Sequence, residues 1–203
     1  MKDKKEQILD AMEALCKEGK GGSASVSEIA KKAGIAKGGI YYYFRSKEEV
    51  LDALVRRHYG AAIADCRLYL EKQQADALTK LAAFLEFYQS RVNQAPFDAY
   101  LHLPQNAAIH QKSLSEILLS LTPLIAGLLQ QGVEEGIFCC EHPEAYAQIL
   151  LSVFTFLLDP GIFHWTAAQR LAKLTALAQL LERGLCAAPG SFRFLYEVQP
   201  CSK

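Results

Sequence analysis

Residues 25–47, SVSEIAKKAGIAKGGIYYYFRSK, decide the fold. Ser25 and Glu28 make the S-x-x-E pattern of a capping box, so a helix starts there. Val26, Ile29, Ala30 and Ala33 give that short helix one apolar side. Gly34 suits the left-handed position that ends it. A second short helix follows, from Ala36 or Lys37 to Phe44. A second S-x-x-E box, Ser46 to Glu49, then opens a long helix whose apolar positions continue through Val50, Leu54, Tyr59, Ile63, Cys66 and Leu70. From residue 47 to 71 it spans about 37 Å at ~1.5 Å per residue.

The helical period extends outward from this stretch. Ile8, Met12, Leu15 and Cys16 mark one buried face of a first helix, and the GKGGS run at 19–23 ends it. After 73–76 a helix runs to about residue 94. Pro96, Pro104 and the Asn106 region break the pattern around a short helix. Long helices follow over 107–136, 142–158 and 166–185, and a loop-like tail brings Phe192, Phe194, Leu195 and Tyr196 back towards the body. Sustained strand alternation is absent, so the fold class is all-α. A three-helix head over 1–46 is expected to join, through the fourth helix, a helical domain over 47–203.

The chain has 22 Lys+Arg and 22 Asp+Glu in 203 residues, a formal net charge of zero. The charge is unevenly placed. Residues 1–57 hold 12 basic and 9 acidic side chains, and residues 20–47 hold six basic residues against Glu28 alone. A local basic patch is what a small nucleic-acid-reading head needs to attract phosphates. The N-terminal residues have charge but no apolar signal-peptide core, and the longest strongly apolar run, 149–158, is too short to span a bilayer. The six cysteines are scattered, which argues against a disulfide framework. These features point to a soluble protein of a reducing cytoplasm.

Two short helices joined by a tight glycine turn form the layout in which the second helix enters a DNA major groove. Lys37 at the start of that helix can reach a phosphate or a guanine edge. Gly38 and Gly39 let backbone approach the duplex closely, at a helix-propensity cost of about 1 kcal/mol each relative to Ala. Tyr41 and Tyr43 offer hydroxyls to phosphates, and Tyr42 lies on a partly different face. Lys47 sits at a helix N-terminus that favours phosphate. Ile40 and Phe44, four apart, should pack inward. The candidate contacts to double-stranded operator DNA are Ser25, Ser27, Lys37, Gly38, Gly39, Tyr41, Tyr42, Tyr43 and Lys47.

Ile29-Ala30-x-x-Ala33-Gly34-Ile35, Lys37-Gly38-Gly39-Ile40-Tyr41-Tyr42-Tyr43-Phe44 and Ser46-Lys47-Glu48-Glu49 resemble the head of tetracycline-repressor-type (TetR family) regulators. By that resemblance Tyr41, Tyr43 and Lys47 match positions that grip the DNA backbone. The chain departs from the pattern at Ala36, where relatives often carry a capping Ser or Thr, and at Gly39, which offers neither methyl nor hydroxyl to a base. More of the sequence preference then falls to DNA shape.

The resemblance also implies a C-terminal domain for ligand binding and dimerisation. Its last two long helices would pair with those of a second copy through Leu150, Leu151, Phe154, Leu157, Leu171, Leu174, Leu177, Ala178 and Leu181. A small, mostly apolar effector would be lined by candidates among Tyr59, Phe84, Phe87, Tyr88, Tyr100, His102, His110 and Phe154. The run Cys139-Cys140-Glu141-His142 matches no common zinc spacing and reads as a turn, so neither metal nor cofactor is expected. Phosphate loop, nucleophile elbow and paired-histidine helix are all missing, which argues against an enzyme. The leading expectation is a homodimeric, ligand-responsive repressor. An activator or ligand-independent DNA-binding protein is the alternative, and an all-helical enzyme or carrier a remote one.

Overall fold

The structure is a computed structural model, described over residues 3–92 and 98–197. The described residues are helical without strands, in the order α1 (Lys4–Lys17), α2 (Val26–Ala33), α3 (Lys37–Tyr43), α4 (Lys47–Glu71), α5 (Ala77–Val92), α6 (Asp98–Leu101), α7 (Ala107–Glu134), α8 (Pro143–Ser152) and α9 (Ala167–Gly184). The chain is all-α, as its periodicity requires. Pro96 and the expected end of the helix near 94 lie outside the described residues. The chain forms two compact units, Met1–Ala61 with Val92–Glu116, and Ala62–Arg91 with Ile117–Lys203. This division differs from a boundary at 46/47, because the start of α4 and the segment around residue 100 pack into the head.

In the first unit α1 starts at Asp3, whose carboxylate accepts from the Lys5 amide at 3.3 Å. Its face of Ile8, Leu9, Met12, Leu15 and Cys16 is buried, together with Ile29 of α2, Ile40 of α3 and Val50, Leu51, Leu54 and Val55 of α4. Arg57 of α4 binds three carboxylates of α1 at once. Its guanidinium donates to Glu6 at 2.9 Å, Asp10 at 2.9 Å and Glu13 at 2.8 Å. Spacings of four and three residues put those acids on one helical stripe, and α4 presents the fork that satisfies them.

Tyr100 is buried against the GKGGS loop. A Cβ on Gly22 would come within 3.1 Å of its ring, and one on Gly21 within 2.6 Å of Cys16 Sγ. The loop glycines are therefore matched to this close approach. Asn106 Nδ2 donates to the Tyr100 carbonyl at 2.7 Å and fixes the segment. Arg56 Nε reaches Glu116 at 2.9 Å, and Lys112 bonds Asp52.

In the second unit Ile117, Leu121, Ile125, Leu128 and Leu129 of α7 are buried with Leu81, Phe84, Phe138, Leu151, Leu177 and Leu185. The helix Pro104–Glu134 contains an 18-residue window with a mean hydropathy of 1.4, so it is long and apolar enough to cross a bilayer by length and composition. The apolar residues of α7 just named are committed to the interior of this unit. α9 opens on a full capping box between Thr166 and Gln169. The 142–158 helix is α8 followed by one wider, π-type turn over Val153–Leu157. Phe192 of the tail is buried and stacks on Phe138 at 5.9 Å.

Two predictions concern the first unit. Arg57→Ala leaves three carboxylates facing one another; because the guanidinium is a quarter exposed, the cost is about 1–2 kcal/mol rather than that of a fully buried pair. A fall of several degrees in melting temperature, suppressed at high salt, is the expected readout; an unchanged melt rejects the clasp. The Glu28 carboxyl is held below its ordinary value by the Ser25 amide and hydroxyl. A depressed carboxylate stabilises above its unfolded pKa, and that contribution is lost as pH falls through the folded value. Between pH 7 and pH 3 the wild type should therefore lose more melting temperature than Glu28→Gln.

Candidate nucleic-acid interface

The α2–turn–α3 geometry comes from local rules. The Ser25 amide donates to Glu28 Oε2 at 2.8 Å, and the Glu28 amide donates to Ser25 Oγ at 3.2 Å, so both halves of the capping box are made. Gly34 has φ +68°, and the Ile35 amide reaches back to the Ala30 carbonyl at 3.0 Å. That 6→1 bond closes the helix on a left-handed residue. Ala36 provides no side-chain cap for α3, as the departure at this position implies. Tertiary contacts hold α3 instead: Ile40 and Phe44 are buried, with Lys5 Nζ lying 5.8 Å from the Phe44 ring centre.

The outer side of α3 is open. Lys37 and Gly38 are exposed, Gly39 and Tyr43 are half-buried, and Tyr41 and Tyr42 are 52% and 82% exposed. The Tyr42 and Tyr43 rings meet edge to face at 4.9 Å. A Cβ on Gly38 would meet nothing within 4 Å, and one on Gly39 only the Ile35 side chain at 3.6 Å. Neither glycine is needed for packing inside the chain. Ser27 is exposed. Ser25 is exposed too, but its hydroxyl is engaged by Glu28 on both its donor and acceptor sides. Lys47 is half-buried, and its ammonium donates to the Gly22 carbonyl at 2.6 Å. No local sequence rule signals this tie, because the two residues are 25 apart.

The effector candidates divide between the units. Tyr59, Tyr100, His102 and His110 belong to the first, and Phe84, Phe87, Tyr88 and Phe154 to the second. The Tyr100 ring packs against the Gly21–Gly22 backbone. The His102 and His110 rings lie 4.8 Å apart. In the second unit Phe87 stacks on Tyr69 at 4.4 Å and Phe84 on Tyr88 at 5.6 Å.

Three of the residues assigned to pairing, Leu151, Leu177 and Ala178, are instead buried in their own unit, which uses up their apolar surface. Leu171 is exposed, and Leu150, Phe154, Leu157, Leu174 and Leu181 are intermediate. Ile149, Phe156 and Leu180, on the same elements, are 65%, 56% and 67% exposed. The helical period places residues on a stripe but does not say which edge of the stripe its own core covers.

Comparison with known proteins places these elements in a wider set. Residues 5–54 match the family model for bacterial regulatory proteins of the tetR family, and residues 90–180 match that for a tetracyclin repressor-like C-terminal domain. The chain is 31% identical over 133 residues to the fatty acid metabolism regulator protein of Bacillus subtilis, covering 64% of this chain and 68% of that one. It is 27% identical over 196 residues to the HTH-type transcriptional repressor NemR of Escherichia coli, covering 90% of each. Among solved structures, Bacillus subtilis FadR in complex with stearoyl-CoA superposes with a TM-score of 0.61 at 21% identity, covering 96% of this chain and 99% of that one.

The open space at Gly38 generates a stability prediction. Gly38→Ala should raise the melting temperature, by about 0.5–1 kcal/mol of helix propensity, because the added methyl meets no atom of the chain. A lower melting temperature would mean that the site is needed for packing.

Proposed function

Because this chain belongs to the tetR family of bacterial regulatory proteins and is a transcriptional regulator, we propose that it is a ligand-responsive repressor that binds a palindromic operator as a homodimer. The observation that carries this reading is the outer side of α3. A lysine and exposed tyrosine rings flank two glycines, and the added methyl of a Gly38 substitution would find only open space. A helix has reason to bear that propensity penalty where another surface must come close. The phosphate grip falls to Lys37, Tyr41 and Tyr43. Lys47 can add its remaining donors from the α4 N-terminus. Base readout is limited by Gly39, so operator shape carries more of the preference.

One head of this size reads only a few base pairs, so useful specificity needs two, about 34 Å apart on the duplex. The pairing surface we assign is the exposed apolar face of α8, the π-type turn and α9, formed by Ile149, Phe156, Leu171 and Leu180. Unpaired apolar residues of this size on adjoining elements are the ordinary mark of an interface. The effector is small and mostly apolar. Stacked aromatic pairs in the second unit and the acyl chain of the ligand held by the FadR relative support that choice. Effector binding favours a state in which α4 has shifted and the spacing of the two α3 helices no longer fits the operator. It does so only through its higher affinity for that state.

The test starts from operator sequences selected out of a random DNA pool with the full chain. Fluorescence anisotropy across salt should give steep, salt-dependent binding for the wild type. Lys37→Ala should weaken it and flatten the log–log salt slope by about one. Gly38→Ala should weaken it while raising the melting temperature, and Tyr43→Phe should weaken it without altering the melt. Equal, salt-independent binding by all four proteins overturns the reading. Leu180→Glu should give a monomer by light scattering and lose operator affinity; a stable dimer would reject the assigned pairing surface.

A further inference from the structure

Cys139 precedes α8 and Cys186 follows α9, 47 residues later, yet the two main chains run side by side. The Cys139 amide donates to the Leu185 carbonyl at 2.7 Å. Both cysteines are exposed and free, and the neighbouring Cys139 thiol pushes the Cys186 thiol up. Each sits on a clamped segment. Phe138, next to Cys139, is buried against Gly132, where a Cβ would lie 2.1 Å from its ring, and stacks on Phe192. Leu185, next to Cys186, is fully buried, and its amide donates to the Leu181 carbonyl at 2.8 Å. Glu182 Oε1 accepts the amides of Gly190 and Phe192 and pins the tail.

Cys186 also holds an unusual backbone. Its φ is +54°, at the position after a helix where glycine is the unstrained choice. The Ala187 amide closes the turn on the Glu182 carbonyl at 2.9 Å. This left-handed turn sets the Cys186 side chain against Cys139. Two thiols on anchored segments, with a main-chain hydrogen bond from Cys139 to Leu185 beside them, are placed to close a disulfide without moving either backbone far.

We propose that Cys139 and Cys186 are a peroxide-reactive dithiol that closes to an intrachain disulfide. The Cys139 sulfur, as thiolate, attacks one oxygen of a hydroperoxide. The O–O bond breaks, a sulfenic acid forms on Cys139, and the departing oxygen leaves as water, or as the alcohol of an organic peroxide, after taking a proton. The Cys186 sulfur then attacks the Cys139 sulfur and displaces its hydroxyl, which takes the Cys186 proton and leaves as water. Two thiols are oxidised by two electrons, and one peroxide is reduced. The Cys186 thiol is pushed up by its hydrogen bond to Cys139 and by the Cys139 charge, so it keeps its proton until the second step. Burial pushes the Cys16 and Cys66 thiols up to about 11, which leaves both inert under the same conditions.

The experiment uses the full chain with Cys201→Ser, so that the cysteine beyond the described residues does not compete. One equivalent of hydrogen peroxide at neutral pH should remove two free thiols per chain. Tryptic mapping without reductant should join the peptide of residues 184–193 to the peptide containing Cys139, two mass units below the sum. Dithiothreitol should restore both. The melting temperature should rise by several degrees on oxidation, with the same rise in Cys140→Ser and none in Cys139→Ser or Cys186→Ser. Both serine variants replace exposed groups, and their reduced melts serve as the control for folding. A cross-link that needs Cys140, one formed between two chains, or thiols that go on to sulfinic acid without pairing would each overturn the proposal.

Discussion

The burial of Ile40 and Phe44 is the contact on which the head depends. A seven-residue helix with two glycines and no side-chain cap cannot hold itself in water. Its register and tilt are imposed from outside, by the left-handed turn at Gly34 on one end and by two buried side chains four residues apart on the inner face. Gly38, Tyr41 and Tyr42 are thereby aimed outward, and Lys37 is exposed at the start of the helix. The weakness of α3 as a helix and the exposure of its outer side have one origin. Residues chosen for what lies outside the chain do little to support the helix itself.

The rest of the first unit supports that arrangement through charge as well as apolar packing. Arg57 draws α4 to α1 through three carboxylates, and Lys47 draws the start of α4 to the Gly22 carbonyl. Tyr100 fills the space beside the same loop, and its burial raises the phenol above its ordinary value. The GKGGS loop is thus held on two sides, by an ammonium from α4 and by an aromatic ring from beyond residue 98. A change in either partner acts on the loop that leads directly into α2.

Local chemistry was legible in the sequence. The Ser25 cap, the Gly34 turn and the inward pair Ile40 and Phe44 follow from rules that reach no more than four residues, and the all-α class follows from the helical period. What was hidden depends on contacts between distant segments. Tyr100 looked like a cavity aromatic, but it belongs to the loop 78 residues earlier. Leu151, Leu177 and Ala178 looked like an outer stripe and became core, while Ile149, Phe156 and Leu180 stayed outside. The π-type turn at Val153–Leu157 contributes to this. An extra residue per turn rotates everything after it relative to the stripe that a uniform period assigns. Cys139 was weighed against Cys140 beside it, whereas its partner in space is Cys186.

The positive field of the head is also narrower than composition implies. Six basic residues lie between 20 and 47, but Glu18 pairs with both Lys20 and Lys32, and Lys47 is turned towards a carbonyl. Lys31, Lys37 and Arg45 remain exposed, at the end of α2, the start of α3 and the residue after Phe44. Those three positions bracket the outer face of α3 rather than coating the whole head. On a chain whose charges otherwise cancel, a patch of this size favours an anion only at short range, within a Debye length of about 8 Å at physiological salt. Long-range attraction is therefore weak, and contact between α3 and a surface has to be made by fit. The lack of side chains at Gly38 and Gly39 leaves the backbone of α3 bare and serves that end.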